Sequence, residues 1–203
     1  LWTDVKIYYW SSDGSYPAAW PGQSMTFSHK IGNVIYYTFE IPAYADSFNI
    51  SGIKNDNSGN RDQTPDIKVS TVVDGNIYYM EWNNGNAVGN TNISDYVKIY
   101  LKPNSNWTSS NAWFVARIWN NSGDAWFKMI KEGDYYYCYV PKGYSNIIFC
   151  RMNSSADSNN PNSYSWDYKW DQTSDLSIPT NGNNCYEVTG SSWSYGSGKW
   201  SKK

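Results

Sequence analysis

Val5-Lys6-Ile7-Tyr8-Tyr9-Trp10 alternates residue by residue, and it decides the fold class. In a strand, successive side chains point to opposite faces. Val5, Ile7 and Tyr9 therefore face a core, while Lys6, Tyr8 and Trp10 face outward. The same strand signature returns at Val34 to Ile41, Ile77 to Trp82, Tyr96 to Leu101, Phe114 to Trp119, Tyr135 to Val140 and Ile147 to Met152. Turn clusters separate these runs, among them Ser11-Ser12-Asp13-Gly14 and Asn120-Asn121-Ser122-Gly123. Short strands between Gly, Asn and Ser turns predict an all-β sandwich or barrel. No stretch carries helical periodicity.

The chain also repeats itself. The first copy runs Trp20…Met25, a strand ending Ile41-Pro42, Phe48-Asn49-Ile50-Ser51-Gly52-Ile53, then Gln63-Thr64-Pro65-Asp66-Ile67. The second runs Trp126…Met129, a strand ending Val140-Pro141, Ile147 to Asn153, then Gln172-Thr173-Ser174-Asp175-Leu176. The shared order predicts two tandem antiparallel β-sandwich domains, residues 1–84 and 93–203. The polar, Gly-rich stretch 85–92 reads as their linker.

Composition narrows the function. The 203 residues hold 12 Trp and 19 Tyr against 6 Phe, with a net charge of −2. Phe suffices to fill a core, whereas Tyr and Trp suit surfaces that are half apolar and half wet. A sugar presents that surface, an apolar face ringed by hydroxyls. The plainer reading is an aromatic-rich sandwich using these residues for strand propensity. No run of Lys or Arg suits phosphate, so no nucleic-acid partner is expected. No apolar run approaches ~18 residues, so no membrane insertion is expected. Cys138, Cys150 and Cys185 lack CxxC spacing and lie far from the lone His29. They read as buried thiols rather than zinc ligands, with a Cys138–Cys150 disulfide left open. Asn55-Asp56-Asn57-Ser58-Gly59-Asn60 lacks the distal Glu of a calcium loop and reads as a turn. No metal or cofactor is expected.

The first copy resembles carbohydrate-binding module family 26, close to family 25. The carriers are Ile7-Tyr8-Tyr9-Trp10, Ala19-Trp20-Pro21-Gly22-Gln23-Ser24-Met25 and Asp62-Gln63-Thr64-Pro65-Asp66 with Asn55-Asp56-Asn57. The resemblance covers roughly residues 4–82. The second copy, about 96–200, resembles a related, divergent module of starch-degrading proteins from gut Firmicutes. It implies binding of starch, amylopectin and maltooligosaccharides by an extracellular or cell-surface protein, beside amylase or scaffold modules. Tyr8, Trp10 and Trp20 match the family's aromatic cradle for an α-1,4-glucan. Gln63 and Asn55 or Asn57 would bond sugar hydroxyls. The residues themselves agree: side chains at i and i+2 on one strand face lie about 6–7 Å apart, near the spacing of successive stacked rings.

By the same alternation, Phe114, Ala116 and Ile118 face inward in the second copy, and Trp113, Val115, Arg117 and Trp119 outward. Arg117-x-Trp119 stands where Tyr8-x-Trp10 stood. Either Arg117 bonds the sugar or the platform has moved to the loop from Asn153 to Asp171, with Tyr164, Trp166, Tyr168 and Trp170. Arg117, Trp119, Trp126, Trp166, Trp170 and Gln172 are the candidate ligand contacts. The alternative for Trp166 and Trp170 is that they pin the loop. Two sites, one site in the first copy, or one composite site all fit the sequence. Arg151 and Asp175 read as a structural ion pair. Glycoside hydrolysis needs two carboxylates ~5–9.5 Å apart. Glu40 and Asp46 are candidates that nothing pairs, so a non-catalytic role is expected. The rival reading is a protein-interaction or adhesion module whose aromatic faces bind a partner.

Overall fold

A computed structural model describes residues 2–14, 18–31, 34–54, 58–71, 76–79, 89–92, 96–190 and 196–203. The fold is all-β. In chain order the strands are β1 (Trp2–Trp10), β2 (Gln23–Ser24), β3 (Thr26–Ile31), β4 (Val34–Thr38), β5 (Ser47–Lys54), β6 (Arg61–Gln63) and β7 (Ile67–Lys68). Next come β8 (Asn76–Tyr79), β9 (Gly89–Asn92), β10 (Tyr96–Lys102), β11 (Trp113–Asn120), β12 (Gly123–Lys128) and β13 (Ile130–Glu132). The last are β14 (Tyr135–Pro141), β15 (Asn146–Met152), β16 (Lys169–Gln172), β17 (Leu176–Ser177), β18 (Cys185–Val188) and β19 (Gly198–Ser201). One short helix, α1 (Ser105–Thr108), precedes β11.

The chain forms two compact units, residues 1–26 with 37–93, and residues 27–36 with 94–203. Residues 27–36 thus belong with the second unit although they lie inside the first copy of the repeat. The stretch read as a linker ends in β9, which pairs antiparallel with β8.

The first unit is built on a sheet of order β2-β1-β5-β6, with β7 also on β5. Val5, Ile7 and Tyr9 are buried and Lys6, Tyr8 and Trp10 half-buried, as the alternation predicts. Ile7, Tyr9, Ala45 and Phe48 form its core, with Phe39, Ile41 and Ile67 packed against it.

The second unit is a two-layer sandwich. One layer has the order β13-β14-β10-β18-β19, the other β16-β15-β11-β12-β3-β4 with β17 on β15. β10 and β18 run parallel. Ile99, Leu101, Val140 and Tyr186 from the first layer meet Phe114, Ala116, Ile118, Phe127 and Phe149 from the second. Fully burying each of the Ile, Leu, Val and Phe side chains is worth about 1.5–3 kcal/mol. Trp107 on α1 joins this core and stacks on Phe114, centroids 6.1 Å apart.

The repeated landmarks occupy equivalent places. Trp10 opposes Ser47, and Tyr8 opposes Asn49. Trp119 opposes Asn146, and Arg117 opposes Ile148. Gln63 pairs with Ser51, and Gln172 with Cys150. Thr64 Oγ1 accepts the Ile50 N–H at 3.1 Å, and the Thr64 N–H donates to Ile50 O at 2.8 Å. Thr173 does the same with Phe149, at 3.1 and 2.9 Å. The shared Gln-Thr therefore has a structural cause. A buried Thr pins the chain as it crosses from β6 to β7 or from β16 to β17, and its neighbour Gln lies on the opposite, outer face.

One expected pairing fails here, and one outward-facing residue is covered. Val115 faces outward yet is fully buried, as are Cys150 and Met152 on the same face. The loop after β15 reaches this face at Trp113, which Tyr164 meets at 5.2 Å while also packing on Phe27 at 4.2 Å. Arg151 pairs with Asp171, not Asp175, at 3.0 Å. It also donates to Trp107 O and Ser109 O, each at 2.8 Å, closing the end of α1. All three cysteines are free and buried. Burial pushes the Cys150 thiol up to about 12, which makes it unreactive.

Candidate functional site: two aromatic patches

The first patch grows from β1. Gly22 lies at φ +93°, and any Cβ there would collide with the Ile7 carbonyl. Only Gly lets the turn from Ala19 close against the strand, with the Gly22 N–H on Ala19 O at 2.9 Å. Gln23 then enters β2 opposite Ile7, and its Nε2 donates to the Tyr9 hydroxyl at 3.1 Å. This docking brings Trp20 to Tyr8, edge to face, with centroids 5.9 Å apart. Tyr8 and Trp10 lie 5.5 Å apart with planes inclined by 33°. Trp20 remains 48% exposed. Three rings with Tyr8 at the centre thus line one outer face.

Gln63 is exposed and lies in the Lys6–Ser51–Gln63 row of the same face. That is two strands from β1, about 10 Å across the sheet. Asn55, like Asn57, lies outside the described residues. Ser47, Asn49 and Ser51 form a buried polar row beside the rings that the sequence reading missed. Their partners are Lys68, Asp66 and Arg61, at 3.0, 3.1 and 3.1 Å. The polar-apolar alternation of Ser47-Phe48-Asn49-Ile50-Ser51 was the signal available.

The second patch lies on the outer face of β11, β12, β15 and β16. Arg117, Trp119, Trp166, Lys169, Gln172 and Asp175 line an open groove of about 550 Å³, with Ile148 beside them. This volume falls in the range of small-molecule sites. Trp166 arrives on the long loop and is 43% exposed. Trp126 is buried beneath it, with centroids 4.9 Å apart and planes inclined by 70°. Lys169 Nζ donates to Gln172 Oε1 at 2.6 Å and lies 5.5 Å from the Trp166 ring. Lys169, Ile148 and Asp175 were not among the predicted contacts; they are reached only through the pairing of β15 with β16.

The structure thus gathers Arg117, Trp119, Trp166 and Gln172, places Trp126 under them as support, and sets Trp170 apart. Opposite β15, Arg151 pairs with Asp171 and Met152 with Lys169. Trp170 is the extra residue of that bulge, and the Arg151 guanidinium lies 4.7 Å from its ring. Tyr164 packs the loop against Trp113 and Phe27, and its hydroxyl donates to Ser158 O within the loop at 2.6 Å.

A groove of similar size, about 570 Å³, lies by α1 and β13. Its lining is mostly polar, Asn, Ser, Thr and Lys with Asp134, and Tyr136 is its single aromatic ring, so it offers no stacked pair. Asp46 accepts the Ser12 N–H and the Ser11 hydroxyl and so braces a turn. Those bonds hold its carboxyl below the usual carboxylate range. Among the described residues, no cluster of His, Cys, Asp and Glu could hold a metal ion. No helix among them is long and apolar enough to cross a membrane. Comparison with family models, curated proteins and solved structures returns no match.

Proposed function

We propose that this chain is a non-catalytic α-glucan-binding protein that holds starch, amylopectin and maltooligosaccharides by stacking sugar faces on exposed indoles. The observation that carries the reading is the triad Tyr8, Trp10 and Trp20, three rings within 6 Å of a neighbour on one outer face. The groove of Trp119 and Trp166, edged by Lys169, Gln172 and Asp175, is the corresponding contact in the second unit. A sugar's C–H face covers apolar ring surface while its hydroxyls reach amide, ammonium and carboxylate groups at the rim.

Two weak contacts on one polymer raise retention through high effective concentration. The local resemblance to starch-binding modules, though confined to short motifs, favours the same ligand. An extracellular or cell-surface protein carrying amylase or scaffold modules is the context we infer. Three unpaired thiols suit a reducing or anaerobic setting. Retention on granular starch is the test. A chain that stays in the supernatant at all starch loadings refutes the reading and favours a protein partner for the aromatic faces.

A further inference from the structure

We propose that Arg117 is a positioning residue: it fixes Trp119 and Trp166 as the ring pair a glucan covers, and does not itself donate to the ligand. The proposal rests on the glucan-binding reading and gives the second groove its division of labour. Arg117 occupies the register place of Tyr8, and both sit at the centre of a three-ring cluster. Tyr8 touches Trp10 and Trp20. The Arg117 guanidinium lies 5.2 Å from the Trp119 ring, 5.1 Å from Trp166 and 5.9 Å from Trp126.

The side-on edge of the fork is already engaged. Nε and Nη2 both lie 3.0 Å from Asp124 Oδ2. Asp124 stands opposite Trp119 on β12, one step diagonal to Arg117. A planar cation within about 6 Å of an indole attracts it, and more strongly as water is excluded. Arg117 is only partly exposed and holds three such rings from three elements: β11, β12 and the loop after β15. Six residues separate β5 from β6 in the first copy, whereas residues 153–168 separate β15 from β16 in the second. That longer loop supplies Trp166, which makes up for the ring lost at Arg117. Lys cannot substitute, because an ammonium lacks the flat fork that meets a carboxylate side-on while facing rings.

The experiment uses the full chain carrying Trp20→Ala, so that the first patch contributes little. Arg117→Lys, Asp124→Asn and Asp124→Glu are compared by near-ultraviolet circular dichroism without ligand, by thermal melting and by titration with maltoheptaose. Arg117→Lys and Asp124→Asn should alter the ligand-free indole bands and weaken binding about tenfold, with little change in melting temperature. Asp124→Glu should restore both signals. Arg117→Lys that loses binding with unaltered indole bands overturns the proposal, because Arg117 then touches the ligand directly. Unchanged bands with unchanged binding also overturn it. A parent chain that binds no maltoheptaose defeats the glucan reading alone; the indole bands still decide whether Arg117 orders the rings.

Discussion

Trp20→Ala separates a platform residue from a packing residue, and its size can be worked from the structure. A Trp side chain buries about 150–250 Å² when fully covered. Trp20 is 48% exposed, so about 100 Å² of it faces solvent. At roughly 25 cal/mol per Å², complete cover by a ligand would be worth about 2.5 kcal/mol. A sugar ring covers one face, which leaves about 1–1.5 kcal/mol, near tenfold in affinity. About half of the side chain is covered by the protein, so by the same area the folded chain loses about 2.5 kcal/mol, the edge contact with Tyr8 included. For a chain of this size that lowers Tm by about 5–10 °C, at about 2–4 °C per kcal/mol. Titration calorimetry with maltoheptaose, on chain carrying Trp166→Ala to weaken the second patch, reads the affinity beside a thermal melt. Unchanged affinity beside a lowered Tm would overturn this and make Trp20 a packing residue.

Removing the buried Arg151 by Arg151→Ala strands Asp171 and two carbonyls; it should cost about 3–5 kcal/mol in denaturant unfolding and leave glucan affinity per folded molecule unchanged. Thr64→Val and Thr173→Val each orphan a strand N–H, and denaturant titration should show losses of about 1–3 kcal/mol in both; a silent Thr64→Val beside a costly Thr173→Val would contradict the equivalence of the two crossings. Burial between Tyr36 and Phe127 lowers His29 to about 3 from its ordinary 6.5. Below pH 6.5 the unfolded chain takes up a proton that the folded chain refuses, so stability falls as pH drops toward about 3, by about 2 kcal/mol at pH 5. Melting curves of His29→Phe should be flatter than those of the parent between about pH 5 and 6.5; equal slopes would show that His29 is protonated in the fold.

What the sequence disclosed and what it hid divide along one line. Alternation is local, so β1, β10, β11, β14 and β15 could be read directly, as could the inward set Val5, Ile7, Tyr9, Phe114, Ala116 and Ile118. Pairing between distant strands is not local. Nothing in Phe27 to Tyr36 announces that β3 pairs with β12, or that Gly89–Asn92 pairs with Asn76–Tyr79. Trp170 falls in step with Trp166 and Tyr168 by count, but the bulge opposite Arg151 and Met152 breaks that count. Val115 shows the limit of the inside-outside rule: alternation gives a direction, and the loop that reaches that face lies some forty residues away. Asp171 and Asp175 are both plausible partners for Arg151 by sequence, and only the register of β15 with β16 selects Asp171.

Affinity electrophoresis reads α-glucan recognition by the two patches. The full chain and its Trp20→Ala, Trp166→Ala double variant are run in native gels containing amylopectin, hydroxyethyl cellulose or no polymer. The parent should be retarded by amylopectin alone, and the double variant should migrate nearly as in the blank gel. Migration of the parent unaltered by amylopectin, or equal retardation in both polymers, would contradict α-glucan recognition by these two patches.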